Sequence, residues 1–194
     1  MDNINELNYY VEITIEQNLS YRQLREKIKT KEYQRLDNST KLKLINKEKL
    51  DIKDNIKNPI VIHNKNNLDK ENISEKVLQR LIVEDIPSFL KELGTGFSFI
   101  ENEYKIKIGN TYNYIDLLLF NIKYNCYVVI ELKVCKFKKE HIGQIEVYMN
   151  YIDRHIKSIN QDKTIGIIIS RRDNHYYIEY SSDKRILTRD YVIS

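Results

Sequence analysis

Two apolar runs separated by six residues constrain this chain more than anything else in it. They are Ile115-Asp116-Leu117-Leu118-Leu119-Phe120 and Tyr127-Val128-Val129-Ile130-Glu131-Leu132-Lys133-Val134, and the stretch from Asn121 to Cys126 between them is turn-like. Such runs pair as antiparallel neighbours. A turn centred between Lys123 and Tyr124 sets Phe120 opposite Tyr127, and four further steps set Asp116 opposite Glu131. Directly opposed residues hold their Cβ atoms about 5 Å apart, where two like charges destabilise the pair. Because both strands are otherwise apolar, the carboxylates are partly desolvated, and something must compensate. A divalent cation removes the repulsion, and oxygen donors on a hard cation imply Mg2+ or Mn2+.

Lys133 lies two residues beyond Glu131 and so on the same face. An ammonium there can orient or deprotonate an attacking water, or offset charge growing on a phosphate oxygen. The competing reading is an internal salt bridge, since Glu-x-Lys is common by chance. An Asp in matching register, with both carboxylates interrupting apolar runs, favours a site. Gln144 and Tyr148 sit one turn apart on the following helix, beside its apolar stripe, where Gln144 can steady Lys133 or the scissile phosphate with Tyr148 in support, or both simply solvate the helix edge.

The rest of the chain supplies the frame. Ser20 and Gln23 form a capping-box pattern ahead of Leu24 and Ile28, giving a helical segment over 1–36. Residues 37–70 are dominated by Lys, Asn and Asp and read as a linker containing a short extended element, Ile60-Val61-Ile62. Ser74 caps a helix with the stripe Val77, Leu78, Leu81 and Ile82; Pro87 should kink or restart it and Gly94 should end it. Strands follow near 97–100, 104–108, 112–120 and 127–134, then a helix over about 139–159, a central strand at 164–170 and another at 176–180. The class is α/β, a mixed central sheet flanked by helices, with a short helical appendage.

Composition narrows the function classes. A chain of 194 residues with 41% apolar content can bury one full core, so one compact domain is expected over 71–194. No apolar run reaches membrane-spanning length and no signal-peptide pattern opens the chain, which predicts a soluble, cytoplasmic protein with no membrane partner. Cys126 and Cys135 are nine residues apart on one predicted strand, point to opposite faces and cannot pair. The formal charge of +4 suits a polyanion, although the absence of Ala and Trp and the wealth of Lys, Asn, Ile and Tyr also follow from AT-rich coding. Lys136, Lys138 and Lys139 are candidates to grip a phosphate backbone, or else a solvated loop. His63, His141, His155 and His175 lack metal-ligand spacing with one another and read as surface or boundary residues.

Taken in order, Asp116, the spacing of fifteen, Glu131-Leu132-Lys133, Gln144 and Tyr148 resemble the core of the PD-(D/E)XK nuclease superfamily, with the helix-borne Gln and Tyr of its RecB-like branches. A longer series is similar to the C-terminal domain of the YhcG-like family: Leu90 to Phe99, Tyr114 to Leu118, Cys126 to Lys133, Gly143-Gln144 and Thr164-Ile165-Gly166. Upstream, Leu19 to Leu24 and Tyr33 to Leu36 look like the last helix of that family's N-terminal helical domain, and Lys57 to Val61 like its linker. The resemblance implies a restriction-endonuclease-like core and a metal-dependent nuclease acting on DNA, branched or processed DNA included. It implies Asp116, Glu131 and the Leu132 carbonyl as metal ligands and Lys133 as the catalytic amine. Glu75 falls where the family has an acid in its first core helix, and Gln79 stands where a second acid is expected. Two other classes stay open: a nucleic-acid-binding module that does not cut, and an interaction protein, homodimeric through its N-terminal helix.

Overall fold

A computed structural model describes residues 4–64, 73–135, 138–171 and 183–194. It divides into two compact units, Met1–Asn58 and Pro59–Ser194.

The first unit is helical. Helices α1 (Ile4–Glu16) and α2 (Tyr21–Lys29) are followed by a 3-10 turn at Tyr33–Arg35, α3 (Asn38–Ile45) and a second 3-10 turn at Ile52–Asn55. The Ser20/Gln23 capping box forms as its residue types require, each satisfying an orphan donor of the other. Tyr9, Tyr10, Ile13, Tyr33 and Leu36 make a small core. The linker expected from residue 37 onward is corrected here. Asn38–Ile45 is helix, and Ile52 and Ile56 are each only 1% exposed. Widely spaced apolar residues among lysines look like a loop in sequence, yet each anchors a turn once a core exists to receive it.

The second unit is a six-stranded mixed sheet with the order β1-β6-β5-β4-β3-β2. Its strands are β1 (Ile60–Ile62), β2 (Phe97–Ile108), β3 (Thr111–Asn121), β4 (Cys126–Lys133), β5 (Asp162–Ser170) and β6 (Ile186–Ile193). Helices α4 (Glu75–Glu84), α5 (Ile86–Leu93) and α6 (Lys139–His155) flank it. Ser74 accepts from the Val77 N–H to start α4, Pro87 restarts the chain into α5, and Gly94 ends α5 with φ 114°. The central strand expected at 164–170 is β5, paired in parallel with β4 and β6 and buried from Thr164 to Ser170. Its one glycine, Gly166, lets α6 approach: a Cβ there would lie 2.5 Å from Met149 Sδ and 2.9 Å from Ile145 Cδ1.

Two strand assignments change. The two short strands expected at 97–100 and 104–108 are one long strand, β2, with a register shift between Phe99 and Glu101 that interrupts its alternation. β6 escapes sequence reading because Thr188, Arg189 and Asp190 break its apolar run, yet it is buried between β1 and β5. The strand expected at 176–180 lies outside the described residues. α6 ends at His155 rather than near residue 159.

Candidate active site

The β3–β4 register is the one the apolar runs imply, with Phe120↔Tyr127 and Leu117↔Ile130 paired. The regular ladder stops there, one step short of Asp116 and Glu131. On the other side of β3 the pairs Asn102↔Leu117 and Tyr104↔Ile115 bracket Glu103, whose φ of 51° is left-handed. Ile115 and Leu118 both enter the core cluster under α6, although an odd spacing normally puts strand residues on opposite faces. Such irregularities re-aim side chains beside functional sites. Here the freed Asp116 carboxylate takes the place of a backbone acceptor: its Oδ2 receives the Leu132 N–H at 2.7 Å. The Asp116 carbonyl is held from α4, where Gln79 Nε2 donates to it at 2.9 Å.

Glu131, 2% exposed, and Lys133, 9% exposed, lie side by side on β4, with Lys133 Nζ donating to Glu131 Oε1 at 2.8 Å. Lys133 Nζ is also 3.6 Å from Oε2 of Glu75 at the start of α4. Three carboxylates thus face one ammonium. Burial, then the Asp116 charge, pushes Glu131 up to about 7, against the pull of Lys133. Burial likewise raises Asp116, with Glu75 and Glu103 adding to the effect. Burial alone would lower Lys133, but its bond to Glu131 and the charges of Glu131, Glu75 and Asp116 hold it above the ordinary lysine value, so it stays an ammonium at neutral pH.

The donor set fits a hard cation. Glu131 Oε2 is buried with no hydrogen-bond partner, which is costly for a carboxylate unless something else binds it. Leu132 turns its N–H toward β3, whereas Lys133 turns its carbonyl toward β5, where the Arg171 N–H donates at 3.3 Å. Successive residues alternate, so the Leu132 carbonyl also faces the Asp116 side. Among the described residues no group of three or more His, Cys, Asp and Glu is arranged around a metal position. Asp116, Glu131 and the Leu132 carbonyl present oxygen atoms only, a donor chemistry compatible with a hard cation that keeps much of its water.

Gln144 and Tyr148 come together, Gln144 Nε2 donating to the Tyr148 hydroxyl at 3.1 Å, but among the described residues neither bonds to Asp116, Glu131 or Lys133. Lys138 and Lys139 are exposed at the start of α6, and Lys136 lies outside the described residues. Two residues acquire roles that sequence reading missed. Gln79 was legible only as a missing acid, yet it is buried and braces Asp116. His141 is not a surface residue: it is 9% exposed, and its Nδ1 accepts the Lys138 N–H at 3.1 Å. Burial and the Lys133 charge lower its pKa. Its position two residues into α6 was the available signal. His63 and His155 are exposed, as expected, and His175 lies outside the described residues.

A family model described as the YhcG PDDEXK nuclease domain matches residues 53–193. The chain belongs to this family. The match spans the sheet, α4 to α6 and every site residue named above. "Putative nuclease YhcG" of Escherichia coli (strain K12) is 28% identical over 100 residues, which are 52% of this chain and 27% of that protein. The aligned stretch is thus about a quarter of that relative. Among solved structures, a repair endonuclease from Pyrococcus abyssi is similar with a TM-score of 0.46 and 20% identity, covering 63% of this chain and 49% of that one. No helix among the described residues is long and apolar enough to cross a membrane.

Proposed function

We propose that this domain hydrolyses phosphodiester bonds of DNA in the cytoplasm with the help of Mg2+ or Mn2+. The observation that carries the reading is the charge balance at the end of the β3–β4 hairpin: Asp116, Glu131 and Glu75 against Lys133, with Glu131 Oε2 buried and unpartnered. Asp116, Glu131 and the Leu132 carbonyl would hold the cation. When bound, the ion lowers the pKa of a coordinated water and polarises the phosphate. Lys133 is charged, so its role is to orient the water and to neutralise a developing phosphate oxyanion rather than to accept a proton. Gln79 fixes the height of Asp116 on its strand, and Glu75 limits how far Lys133 can swing. Gln144 and Tyr148 act through packing at the rim of the site, and Lys138 and Lys139 offer phosphate contacts.

The test is cleavage of single-stranded, duplex and branched DNA, with and without Mg2+, by the parent chain and by the Glu131→Gln and Lys133→Ala variants. Metal-dependent product that disappears in both variants is expected. Product that survives both substitutions would remove the site assignment.

A further inference from the structure

The β2–β3 hairpin projects chemistry that the nuclease site does not use. Its register pairs Lys105 with Tyr114 and Lys107 with Tyr112, so these four side chains share one face. All four are exposed, Tyr112 at 53% and Tyr114 at 52%. The opposite face is the buried one: Tyr104, Ile106 and Ile115 pack into the cluster under α6. The two large rings therefore lie on the outer face by register, not through poor packing. Lys105 Nζ lies over the Tyr112 ring, 3.9 Å from its centroid, and Lys107 Nζ over the same ring at 5.8 Å, a cation–π contact that orients the ring and leaves its other face for a base. From Tyr104 to Ile115 the only charged residues are these two lysines.

The patch lies on the strand that carries the site: Tyr114 is two residues and Tyr112 four residues before Asp116 on β3, about 7 Å and about 13 Å along the strand. The break in alternation between Ile115 and Leu118 lies between the rings and the β3–β4 ladder, so the connection runs along the strand and not across a shared face. Exposed rings can stack only on bases whose faces are free, because the bases of a duplex already stack on one another. Lysines interleaved with the rings meet the phosphates of the same strand. An acidic protein surface would use the cations but would leave both rings without a partner.

We infer that the exposed face of the β2–β3 hairpin, Tyr112 and Tyr114 with Lys105 and Lys107, is a stacking platform that seats an unpaired nucleic-acid strand on the same β-strand that carries Asp116. The inference rests on the nuclease reading for its direction, and it makes the substrate class a nucleic acid with a single-stranded stretch beside the bond to be cut. Bases stack on the two rings, and the backbone follows the lysines.

The experiment measures fluorescence anisotropy of labelled twelve-nucleotide oligothymidylate, oligouridylate and a blunt duplex on the full chain in EDTA, so that binding is read without cleavage. Tyr112→Ala with Tyr114→Ala should weaken single-strand binding about tenfold or more while changing duplex binding by less than about threefold. Tyr112→Phe with Tyr114→Phe should restore it, since the ring and not the hydroxyl stacks. Lys105→Ala with Lys107→Ala should reduce the slope of log affinity against log salt by about 1.4 on the single strand. Equal losses on single strand and duplex, or no loss in the alanine pair, would overturn the platform. Cleavage that persists while binding ignores both tyrosines sinks the platform and spares the nuclease. Ring-dependent binding with no cleavage in any divalent metal does the reverse.

Discussion

Two buried glutamates in this chain show how the same ingredients give opposite results. In the helical unit Glu32 is 5% exposed and receives Tyr9 Oη at 2.9 Å, Lys27 Nζ at 2.9 Å and, at 3.4 Å, Lys57 Nζ. Burial works to raise its pKa, but Lys57 and Lys27 overcome it and the carboxyl is held below its ordinary value. In the sheet unit Glu131 is as deeply buried, yet its single cation is shared with two other carboxylates and its pKa rises to about 7. The first cluster has two cations for one anion and is complete. The second has one cation for three anions and an unpartnered oxygen. A charge deficit of this kind is poor for stability and suited to receiving a metal ion and a phosphate.

Several experiments can break or sharpen that contrast. The largest effect belongs to activity: Glu131→Gln or Lys133→Ala should lower metal-dependent cleavage about a thousandfold, read as initial rate on the best substrate. On stability the order reverses. Glu32→Gln should destabilise the helical unit by about 3 kcal/mol, because Lys27 and Lys57 are left without their anion, and urea denaturation will measure it.

The two carboxylates should also respond to pH in opposite directions. An acid whose folded pKa is raised binds its proton more tightly when folded. The contribution of Glu131 is thus full below its unfolded value of 4.5 and is lost as pH rises through about 7, amounting to at most about 3 kcal/mol. Glu32 is lowered, so its contribution is present above the unfolded value and is lost as pH falls through the folded one. Hydrogen exchange of each unit in EDTA at pH 5 and pH 8 should show the sheet unit weakening with rising pH, and Glu131→Gln should flatten that slope. A millimolar divalent cation should flatten it too. Gln79→Ala should have the smallest effect, about 1 kcal/mol of stability and roughly a tenfold drop in cleavage, since it releases only the Asp116 carbonyl.

Much of this was legible in the chain. The turn centred between Lys123 and Tyr124, with an apolar run on either side, placed Phe120 opposite Tyr127 and so brought Asp116, Glu131 and Lys133 into one neighbourhood. Helix starts at Ser20 and Ser74 could be read because a capping side chain bonds a backbone group only two or three residues away. β6 could not be read, because its burial comes from neighbours that lie far away in sequence. The helix at Asn38–Ile45 was hidden for a similar reason: its stripe is weak and its order depends on a core assembled elsewhere.

Local patterns of apolar and polar residues act over a few positions, and by themselves they determined that β3 pairs with β4 and that Asp116, Glu131 and Lys133 fall in one neighbourhood. Tertiary structure alone decided the balance of those charges: that Glu75 would reach Lys133, that Gln79 would hold Asp116, and that the ladder would stop one step early and turn Asp116 toward the Leu132 N–H. The reason is that electrostatic energy and hydrogen bonding depend on distance and burial in space, and neither has a period in the sequence.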